Sequence, residues 1–320
     1  MSAHAIDAAL VTGGGGFIGS NIVRMLRADG VPVRVLDDFS SGYRENLDGL
    51  DGVEVVSGDV RDVDVLADVV DGVDVVFHLA ASVGNIRSIE HPIEDSEVNA
   101  LGTLRVLEVM REAGARRIVY SSSAGIFGEL KELPIREDHP LEPGSPYGVS
   151  KLAGEKMCLA YAQLFELDAV CLRYFNVYGV NQRYDAYGNV IPIFTHRLLN
   201  GLPLIVYSDG EQTRDFVNVR DVARANLRAA RTTGLSGAFN VASGTSVTIN
   251  RLVELLRDVA GTEPEVEHAP PRPGDVRDSL ADISAARNAF GYEPEVSLEE
   301  GLAEYVNWMR ARVHASPMSS

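Results

Sequence analysis

Short apolar runs alternate with longer amphipathic stretches through the first half of the chain. The runs are rich in Val, Ile and Ala and are bounded by Gly, Asp or Ser, as is typical of buried strands. They cover residues 8–12, 32–37, 53–57, 74–78, 117–121 and 169–173. Apolar residues at helical spacing fill 17–28, 63–70, 93–113 and 147–164. This alternation predicts right-handed βαβ crossovers and a doubly wound, parallel α/β sheet.

The alternation loosens after about residue 175, where prolines from Pro192 to Pro273 interrupt it. Helical spacing recurs at 221–230 and 249–259, without regular partner strands. We therefore predict a doubly wound domain over 1–175 and a smaller, interleaved α/β lobe that is formed mainly by 176–314. Part of 215–245 is expected to return to the first domain, and 315–320 is expected to be a frayed tail.

The composition favours a globular protein that binds neither nucleic acid nor membranes. Apolar residues make up 45% of the 320 residues, enough for a substantial core. There are 29 Lys and Arg against 46 Asp and Glu, a formal net charge of −17. Such a charge repels polyanions in general, so a phosphate-bearing ligand must be held by a few local cations. We expect no metal site.

Cysteine use and apolar segments suggest the compartment. Cys158 and Cys171 both lie in apolar runs, as expected for buried reduced thiols. The first residues lack a basic segment of the kind that begins a secretory signal, and no apolar run has the roughly 18 residues of a membrane span. The expectation is a cytoplasmic protein.

A glycine-rich turn follows the first predicted strand. Gly13, Gly16 and Gly19 match a GxxGxxG pattern between that strand and a helix. The first glycine permits the tight turn, the second lets the backbone approach a diphosphate, and the third allows close helix–strand packing. The start of the helix then offers N–H groups and a positive dipole end to phosphates. The pattern predicts a dinucleotide site.

An acidic residue stands about 20 residues beyond the turn, at the end of the second strand. A carboxylate at Asp37, followed by Asp38, accepts hydrogen bonds from the adenosine ribose and repels a 2′-phosphate. Arg34 precedes the pair within the strand. No basic residue stands in place of the acid at Asp37, which favours NAD over NADP. The alternative is that both acids are turn residues. Asp59 and Val60, after the third strand, are expected beside the adenine.

A tyrosine and a lysine lie four residues apart, on one face of a predicted helix. An ammonium at Lys151 favours the phenolate of Tyr147 and so brings its pKa down from about 10, towards working pH. Ser123 follows the fifth strand at the carboxyl edge, where α/β sheets bind ligands, and its hydroxyl can donate to the reacting oxygen. A surface Tyr–Lys pair and a serine-rich turn are the structural alternatives to a catalytic triad.

Taken together, these motifs resemble the extended short-chain dehydrogenases, and specifically the NAD-dependent UDP-glucose 4-epimerase group. The resemblance rests on TGGGGFIGS (12–20), HLAA (78–81), YSSSAGIFG (120–128), SPYGVSK (145–151), LRYFNVYG (172–179), TRDFVNVRDVA (213–223) and RPGDVRDSLAD (272–282). It implies an NAD-binding Rossmann domain followed by a nucleotide-sugar-binding lobe. It also implies that Tyr147 is the general base, assisted by Lys151 and Ser123.

The resemblance implies two groups of ligand-binding residues. NAD would contact, besides the turn glycines and Asp37, the residues Phe17, Ile18, Asp38, Asp59, Val60, Leu79, Ala80, Ala81, Asn99, Ser121, Tyr147, Lys151 and Tyr174. A UDP-sugar would contact Ser123, Asn176, Asn189, Val190, Tyr207, Arg214, Arg272, Asp275 and Ser279. Within this group the two arginines would clamp the diphosphate, Tyr207 would lie against the uracil and Asp275 would hold the uridine ribose. For Arg214 the alternative is an ion pair with Asp215 or Asp221.

The implied reaction is epimerisation at C4 of a UDP-hexose, UDP-Glc/UDP-Gal or UDP-GlcNAc/UDP-GalNAc, through a 4-keto intermediate with NAD retained. Sugar-nucleotide dehydratases carry an Asp-Glu pair after the strand-end hydroxyl, and UDP-glucuronate decarboxylases typically carry a glutamate. Here Ala124 and Gly125 stand there, which favours epimerisation. Gly125 also replaces a hydroxyl that often touches the sugar, and Phe127 replaces a tyrosine.

Four matters stay open at the level of sequence. Ser279 aligns with a position that is bulky in strict UDP-glucose epimerases, so the serine either leaves room for an N-acetyl group or packs locally. Arg87 and Arg183 are extra cations that keep UDP-glucuronate or another nucleotide sugar as an alternative substrate. A non-catalytic NAD-binding protein is the alternative of another class. The resemblance also implies a homodimer through helices 93–113 and 147–164, although a monomer that buries both faces is the alternative.

Overall fold

A parallel sheet of seven strands forms the centre of the structure. The computed structural model describes residues 5–185, 188–271 and 276–315. Its strands are β1 (Ala9–Thr12), β2 (Val33–Asp37), β3 (Val53–Ser57), β4 (Val75–His78), β5 (Arg117–Ser123), β6 (Asp168–Tyr174), β7 (Asn176–Tyr178), β8 (Leu204–Tyr207), β9 (Thr213–Arg214), β10 (Phe216–Asn218), β11 (Gly237–Val241), β12 (Val247–Thr248) and β13 (Val266–Ala269). The order in the central sheet is β11-β6-β5-β4-β1-β2-β3, and every neighbouring pair is parallel.

Helices cover both faces of this sheet. They are α1 (Phe17–Ala28), α2 (Val63–Val70), α3 (Asn85–Glu90), α4 (Pro92–Ser96), α5 (Thr103–Ala113), α6 (Pro146–Leu164), α7 (Val190–Leu199), α8 (Val219–Arg231), α9 (Ile249–Ala260), α10 (Ser284–Phe290) and α11 (Leu298–Ala315). One apolar core packs α1 and α8 against the sheet, and a second packs α2, α5 and α6 against the other face. The predicted doubly wound α/β class is therefore confirmed. Among the described residues, none of the helices is long and apolar enough to span a membrane.

The predicted helix over 93–113 differs from the structure. The chain there forms α4, then a π-helical segment at Glu97–Gly102, and only then α5. A π segment adds a residue to the turn, and such segments often occur at functional sites. The periodicity of apolar residues indicates which face of a helix is buried. It does not indicate whether a turn of that helix is α-helical or π-helical. The other predicted helices and strands of the first half lie within about two residues of the observed ones.

The smaller lobe has its own apolar core, to which α7, α9 and α11 contribute. Three two-stranded ribbons belong to this half of the chain: β7 with β10, β8 with β13, and β9 with β12. Between them the chain goes back to the large sheet, where α8 packs beside α1 and β11 pairs with β6. The two halves are thus interleaved in sequence, and the residue boundaries between domains stay a prediction.

Helix α6 lies unusually close to the sheet. A Cβ on Gly154 would come within 2.3 Å of the Tyr120 hydroxyl, so only glycine permits this approach. One residue further, the fully buried Glu155 forms an ion pair with Arg173 of β6 at 2.7 Å. The same carboxylate accepts a hydrogen bond of 2.7 Å from Ser122 of β5. These contacts fix α6 next to the carboxyl ends of β5 and β6.

Candidate active site

The glycine turn packs directly onto the segment that follows β4. Gly13 has a left-handed backbone (φ +70°), and a Cβ there would lie 2.7 Å from the Ala80 nitrogen. A Cβ on Gly19 would lie 2.1 Å from the Gly13 carbonyl oxygen, so only glycine at this position lets α1 pack this closely on the turn. Gly16 precedes α1 as an N-cap without a side-chain hydrogen bond, which leaves the first N–H groups of the helix, at Phe17 and Ile18, available for the expected diphosphate.

Asp37 braces the turn and retains acceptor capacity for a ribose. Its Oδ2 accepts from the Gly15 N–H at 2.8 Å and its Oδ1 from the Phe39 N–H at 2.8 Å. Burial raises the pKa of this carboxyl, while the two backbone hydrogen bonds act in the opposite direction. Each carboxylate oxygen keeps a further lone pair for a ribose hydroxyl. Asp38 instead accepts from Ser40, at 2.9 Å from its N–H.

The residues expected beside the adenine are an acid held in an ion pair and the apolar residues that follow it. Asp59 forms an ion pair with Arg61 at 2.6 Å, and the hydrogen bond from this guanidinium lowers the pKa of the carboxyl. Val60 is buried against Gly102 of the π segment. After β4, the N–H of Leu79 donates to the Thr12 carbonyl at 3.1 Å, which holds the segment through Ala81 beside the glycine turn. These residues fit the adenosine half of NAD.

Tyr147 and Lys151 lie in the first two turns of α6. Ser145 caps the helix: its Oγ accepts from the Gly148 N–H at 3.2 Å and donates to Asn85 at 3.0 Å. Tyr147 remains partly exposed, with its ring near Ser123 across the small Gly125. Burial raises the pKa of the Tyr147 phenol, and a hydrogen bond with Ser123 lowers it. The predicted catalytic triad is thus brought together by β5 and α6.

Lys151 is almost fully buried, at 2% exposure. Its ammonium lies 4.5 Å from the centre of the Tyr120 ring, a cation–π contact. Burial lowers the pKa of Lys151 to about 8, and the nearby Asp95 and Glu155 oppose that change. The side chain therefore still carries its charge in most molecules at pH 7. A charge at this position is the feature that the sequence predicted for the lysine of a Tyr–Lys pair.

Sequence reasoning missed the polar network behind this triad. Asn99, predicted as a cofactor residue, accepts from the Ser82 N–H at 2.8 Å and donates to the Ser82 carbonyl at 2.9 Å. Its amide also donates to Asp95 at 3.1 Å, and Ser150 donates to the same carboxylate at 2.5 Å. The network ties the π segment to α6. Asp95 gave no signal in the sequence, because a lone acid in a helical stretch looks like a solvent-exposed residue.

Two further predicted cofactor residues meet at the ends of β5 and β6. Tyr174 is buried, and its hydroxyl bonds to Asn226 of α8 at 3.0 Å. Burial raises the pKa of the Tyr174 phenol, and hydrogen bonds with Asn226 and Ser121 lower it. Tyr174 is paired in register with Ser123, so both predicted residues lie on the strands next to the serine of the triad.

His78, at the end of β4, is another residue that the sequence did not single out. Its Nδ1 is 2.7 Å from the Thr12 hydroxyl and its Nε2 is 3.0 Å from the Thr103 hydroxyl. It therefore links β1 to α5 directly below the cofactor segment. Burial, and then the charge of Lys151, lower the pKa of this imidazole to about 3.

The residues expected to bind the nucleotide sugar lie in the smaller lobe and on its connections. Asn176 donates to the Asp215 carbonyl at 3.1 Å. Asn189 precedes α7, which begins at Val190 without a side-chain cap and so directs free N–H groups outward. Tyr207 ends β8, and Ser279 is buried at 8% exposure. Arg272 and Asp275 lie outside the described residues.

The carboxylates considered as partners for Arg214 have other contacts. Asp215 accepts from the backbone of Ser243 and Ala281 at 2.8 and 3.2 Å. Asp221 pairs with Arg224 and accepts from the Glu295 N–H at 2.8 Å. Arg214 itself donates to the Thr213 carbonyl at 2.8 Å.

Arg87 and Arg183, the two cations that left a uronic acid possible as the substrate sugar, are both paired with acidic side chains. Arg87 lies 3.8 Å from Glu94 on the next helix. Arg183 pairs with Glu45 and lies over the ring of Tyr43, at 3.3 Å from its centre. Within the described residues, no group of three or more His, Cys, Asp or Glu side chains is arranged to hold a metal ion.

Comparison with known proteins identifies close relatives. Residues 9–242 match the model of the NAD dependent epimerase/dehydratase family. The UDP-glucose 4-epimerase of Mycolicibacterium smegmatis is 40% identical, over 94% of this chain and 98% of its own. The UDP-glucose 4-epimerase of Thermotoga maritima, solved with UDP-glucose, has a TM-score of 0.91 at 38% identity and covers 96% of this chain and 99% of its own.

A second solved relative acts on a different sugar. The UDP-N-acetylglucosamine 4-epimerase of Methanobrevibacter ruminantium M1, in complex with UDP-N-acetylmuramic acid, has a TM-score of 0.92 at 36% identity. The match covers 97% of this chain and all of the other. Similarity of this extent runs over both the sheet and the smaller lobe.

We predict that His78→Gln makes the protein less sensitive to acid. In the folded state His78 stays neutral down to a pH of about 3, whereas in the unfolded chain it takes up a proton below a pH of about 6.5. Between these values the free energy of unfolding should fall by up to about 1.4 kcal/mol per pH unit through this group alone. Urea unfolding at several pH values between 7 and 4 measures the slope. An equal slope in wild type and variant would contradict the assignment.

Proposed function

The chain belongs to the NAD-dependent epimerase/dehydratase family, and on that basis we propose that it is an NAD-dependent 4-epimerase of a UDP-hexose. The observation that carries the proposal is the triad at the carboxyl edge of the sheet. Ser123 and the Tyr147 ring lie on either side of Gly125, where the serine lowers the pKa of the phenol, and Lys151 is buried one helical turn after Tyr147. The glycine turn and Asp37 provide a dinucleotide site beside them.

The residues next to Ser123 favour epimerisation over elimination of water. A dehydratase needs a further acid and base to act across C5 and C6 of the sugar. Here Ala124 and Gly125 follow Ser123, and a side chain at Gly125 would stand within 3.8 Å of the Tyr147 ring. The site thus supplies one proton-transfer residue, which is the number that oxidation and reduction at a single carbon require.

The protein groups divide the chemistry as follows. NAD, held by the glycine turn and Asp37, would supply the hydride acceptor and donor that oxidation and reduction at C4 require. Tyr147 takes the proton from O4 and gives it back at the end of the cycle. Ser123 donates a hydrogen bond to the same oxygen, and the charge of Lys151 stabilises the phenolate in between. Net redox change is zero.

We propose that the substrate is a neutral hexose rather than a uronic acid. An anionic sugar needs an unpaired cation in the pocket, and the two candidates have acidic partners: Arg87 has Glu94 and Arg183 has Glu45. The diphosphate would be held by Arg214 and Arg272, with Asn176, Asn189 and the start of α7, since arginine suits phosphate oxygens. Tyr207 and Asp275 would hold the uridine. Ser279 would lie against the sugar.

We also propose a homodimer in the cytoplasm. Ile93, Leu101, Val149 and Leu164 are exposed by 75, 46, 54 and 71% on α4, the π segment and α6. A second copy would cover these apolar side chains, whereas Val106 and Leu107 of α5 are buried inside the subunit. The buried free thiols of Cys158 and Cys171 fit a reducing compartment.

Light scattering during gel filtration tests the dimer. A mass of twice 34.6 kDa is expected for the wild type, and a single subunit mass for Leu164→Glu combined with Ile93→Glu. An unchanged mass for this double variant would show that another surface forms the contact.

The activity is tested by incubating the purified protein, without added NAD, with UDP-Glc, UDP-GlcNAc and UDP-GlcA in turn. We expect C4 epimers of a neutral UDP-hexose and not of UDP-GlcA. Tyr147→Phe should lower kcat by about 100- to 10,000-fold, because the proton on O4 loses its acceptor, and should leave bound NAD in place. Failure of every sugar, also after NAD is supplied, would overturn the proposal.

Ser279→Tyr tests how the pocket chooses among neutral sugars. If the small serine leaves room for an N-acetyl group, the variant should lose turnover of UDP-GlcNAc relative to UDP-Glc by at least about tenfold. Ser279→Ala, which keeps the space, is the matched control. An unchanged ratio in Ser279→Tyr would mean that Ser279 only packs locally.

A further inference from the structure

A short segment after β7 crosses from the smaller lobe onto the first cofactor helix. Asn181, in a left-handed conformation (φ 73°), donates to the Ser20 hydroxyl at 3.0 Å. Asn21 of α1 donates in return to the Val180 carbonyl at 2.9 Å. From the other side, the Tyr305 hydroxyl of α11 donates to the Gln182 carbonyl at 2.7 Å. The segment is thus fixed between α11 of the lobe and the second turn of α1.

The next residue, Arg183, extends this crossing to the loop that follows β2. Its guanidinium pairs with Glu45 and lies flat enough over Tyr43 to place its central carbon 3.3 Å from the ring centre. The hydrogen bond from Arg183 lowers the pKa of the Glu45 carboxyl, so the pair is charged at neutral pH. These contacts join residues 138 positions apart in the chain.

Tyr43 and Asn46, in the loop after β2, are both hydrogen-bonded to the glycine turn. The Tyr43 N–H donates to the Gly15 carbonyl at 2.9 Å, and the buried Asn46 amide donates to the same oxygen at 2.8 Å. The N–H of Gly15 is in turn held by Asp37, the expected ligand of the adenosine ribose. Arg183 is therefore connected to the expected cofactor site through a loop that is hydrogen-bonded to the glycine turn.

We propose that Arg183 is a latch: by pairing with Glu45 and stacking on Tyr43, it holds the lobe segment closed against the adenosine end of the NAD site and slows NAD release. This inference rests on the proposed function. A reaction with no net redox change has no need to exchange its cofactor, and loss of NAD between turnovers would stop it. Arg183 acts on the retention of NAD through Tyr43 and Glu45, so it is a positioning residue rather than a catalytic one.

The test measures release of NAD directly. Protein loaded with NAD is passed rapidly into NAD-free buffer, and the NAD that remains bound is determined after denaturation at successive times. Arg183→Ala should release NAD about tenfold faster, because the ion pair and the cation–π contact are both lost. Glu45→Gln should release it about two- to fivefold faster, because only the ion pair is lost. Arg183→Lys, which keeps the charge but not the flat stacking surface, should lie between Arg183→Ala and the wild type.

A matched control removes an ion pair elsewhere on the surface. Arg251 pairs with Glu254 within α9 at 2.7 Å, and Arg251→Ala should retain NAD as the wild type does. Salt gives a second readout that needs no variant. Release from the wild type should accelerate between about 0.05 and 1 M NaCl as the Glu45–Arg183 pair is screened, and release from Arg183→Ala should respond less.

The outcomes separate the latch from the proposed function. Equal release rates in wild type, Arg183→Ala and Glu45→Gln, together with a salt-independent wild type, would overturn the latch while the epimerase proposal stands. A wild type that binds no NAD at all would overturn both. If Arg183→Ala does not fold, Glu45→Gln and the salt series still decide, since Glu45 is 55% exposed and its change removes only a charge.

Discussion

The seating of α6 against β5 and β6 is the constraint on which the site depends. Gly154 lets the helix come close enough for Glu155 to reach Arg173, and the ion pair is excluded from water on all sides. Ser122, bound to the same carboxylate, immediately precedes Ser123, and Lys151 is one helical turn before Glu155. One buried pair thus fixes the strand that presents the hydroxyl and the helix that presents the phenol and the ammonium. Loss of either partner would leave an uncompensated buried charge, which is strongly destabilising in proteins.

Burial acts in opposite directions on the two reacting groups. It raises the pKa of the Tyr147 phenol and lowers that of the Lys151 ammonium, and both changes disfavour the charged forms that the chemistry uses. Ser123 lowers the pKa of the phenol, whereas the charge of Asp95 acts on both groups: it raises the pKa of the ammonium, which favours its charged form, and it also raises the pKa of the phenol. The network from Asp95 through Asn99 to Ser82 therefore belongs to the electrostatics of the site.

Much of this arrangement could be predicted from the sequence, because it depends on local patterns. Glycine spacing, apolar runs and a Tyr–Lys pair at one helical turn are local, and the structure has the sheet, α1 and the triad where they indicate. The π segment could not be predicted, since an added residue leaves the apolar periodicity nearly unchanged. Nor could the roles of His78 and Asp95, which depend on partners far away in the chain.

The role of Arg183 also could not be predicted from the sequence. In the sequence it was an extra cation near a candidate pocket, and it suggested an acidic substrate. Its partners, Tyr43 and Glu45, belong to a loop more than 130 residues earlier, and only the fold brings them together. A residue that the sequence suggested for substrate specificity is thus a contact between two distant segments of the chain.

The central claim is that one sugar carbon is oxidised and reduced within a closed site that retains its cofactor. UDP-glucose deuterated at C4 tests it most directly. After epimerisation in ordinary water, mass spectrometry of the product and of the remaining substrate should show the deuterium still at C4, because the same hydrogen leaves and returns without contact with solvent. Loss of the label to water would contradict the account and would indicate proton abstraction from carbon instead.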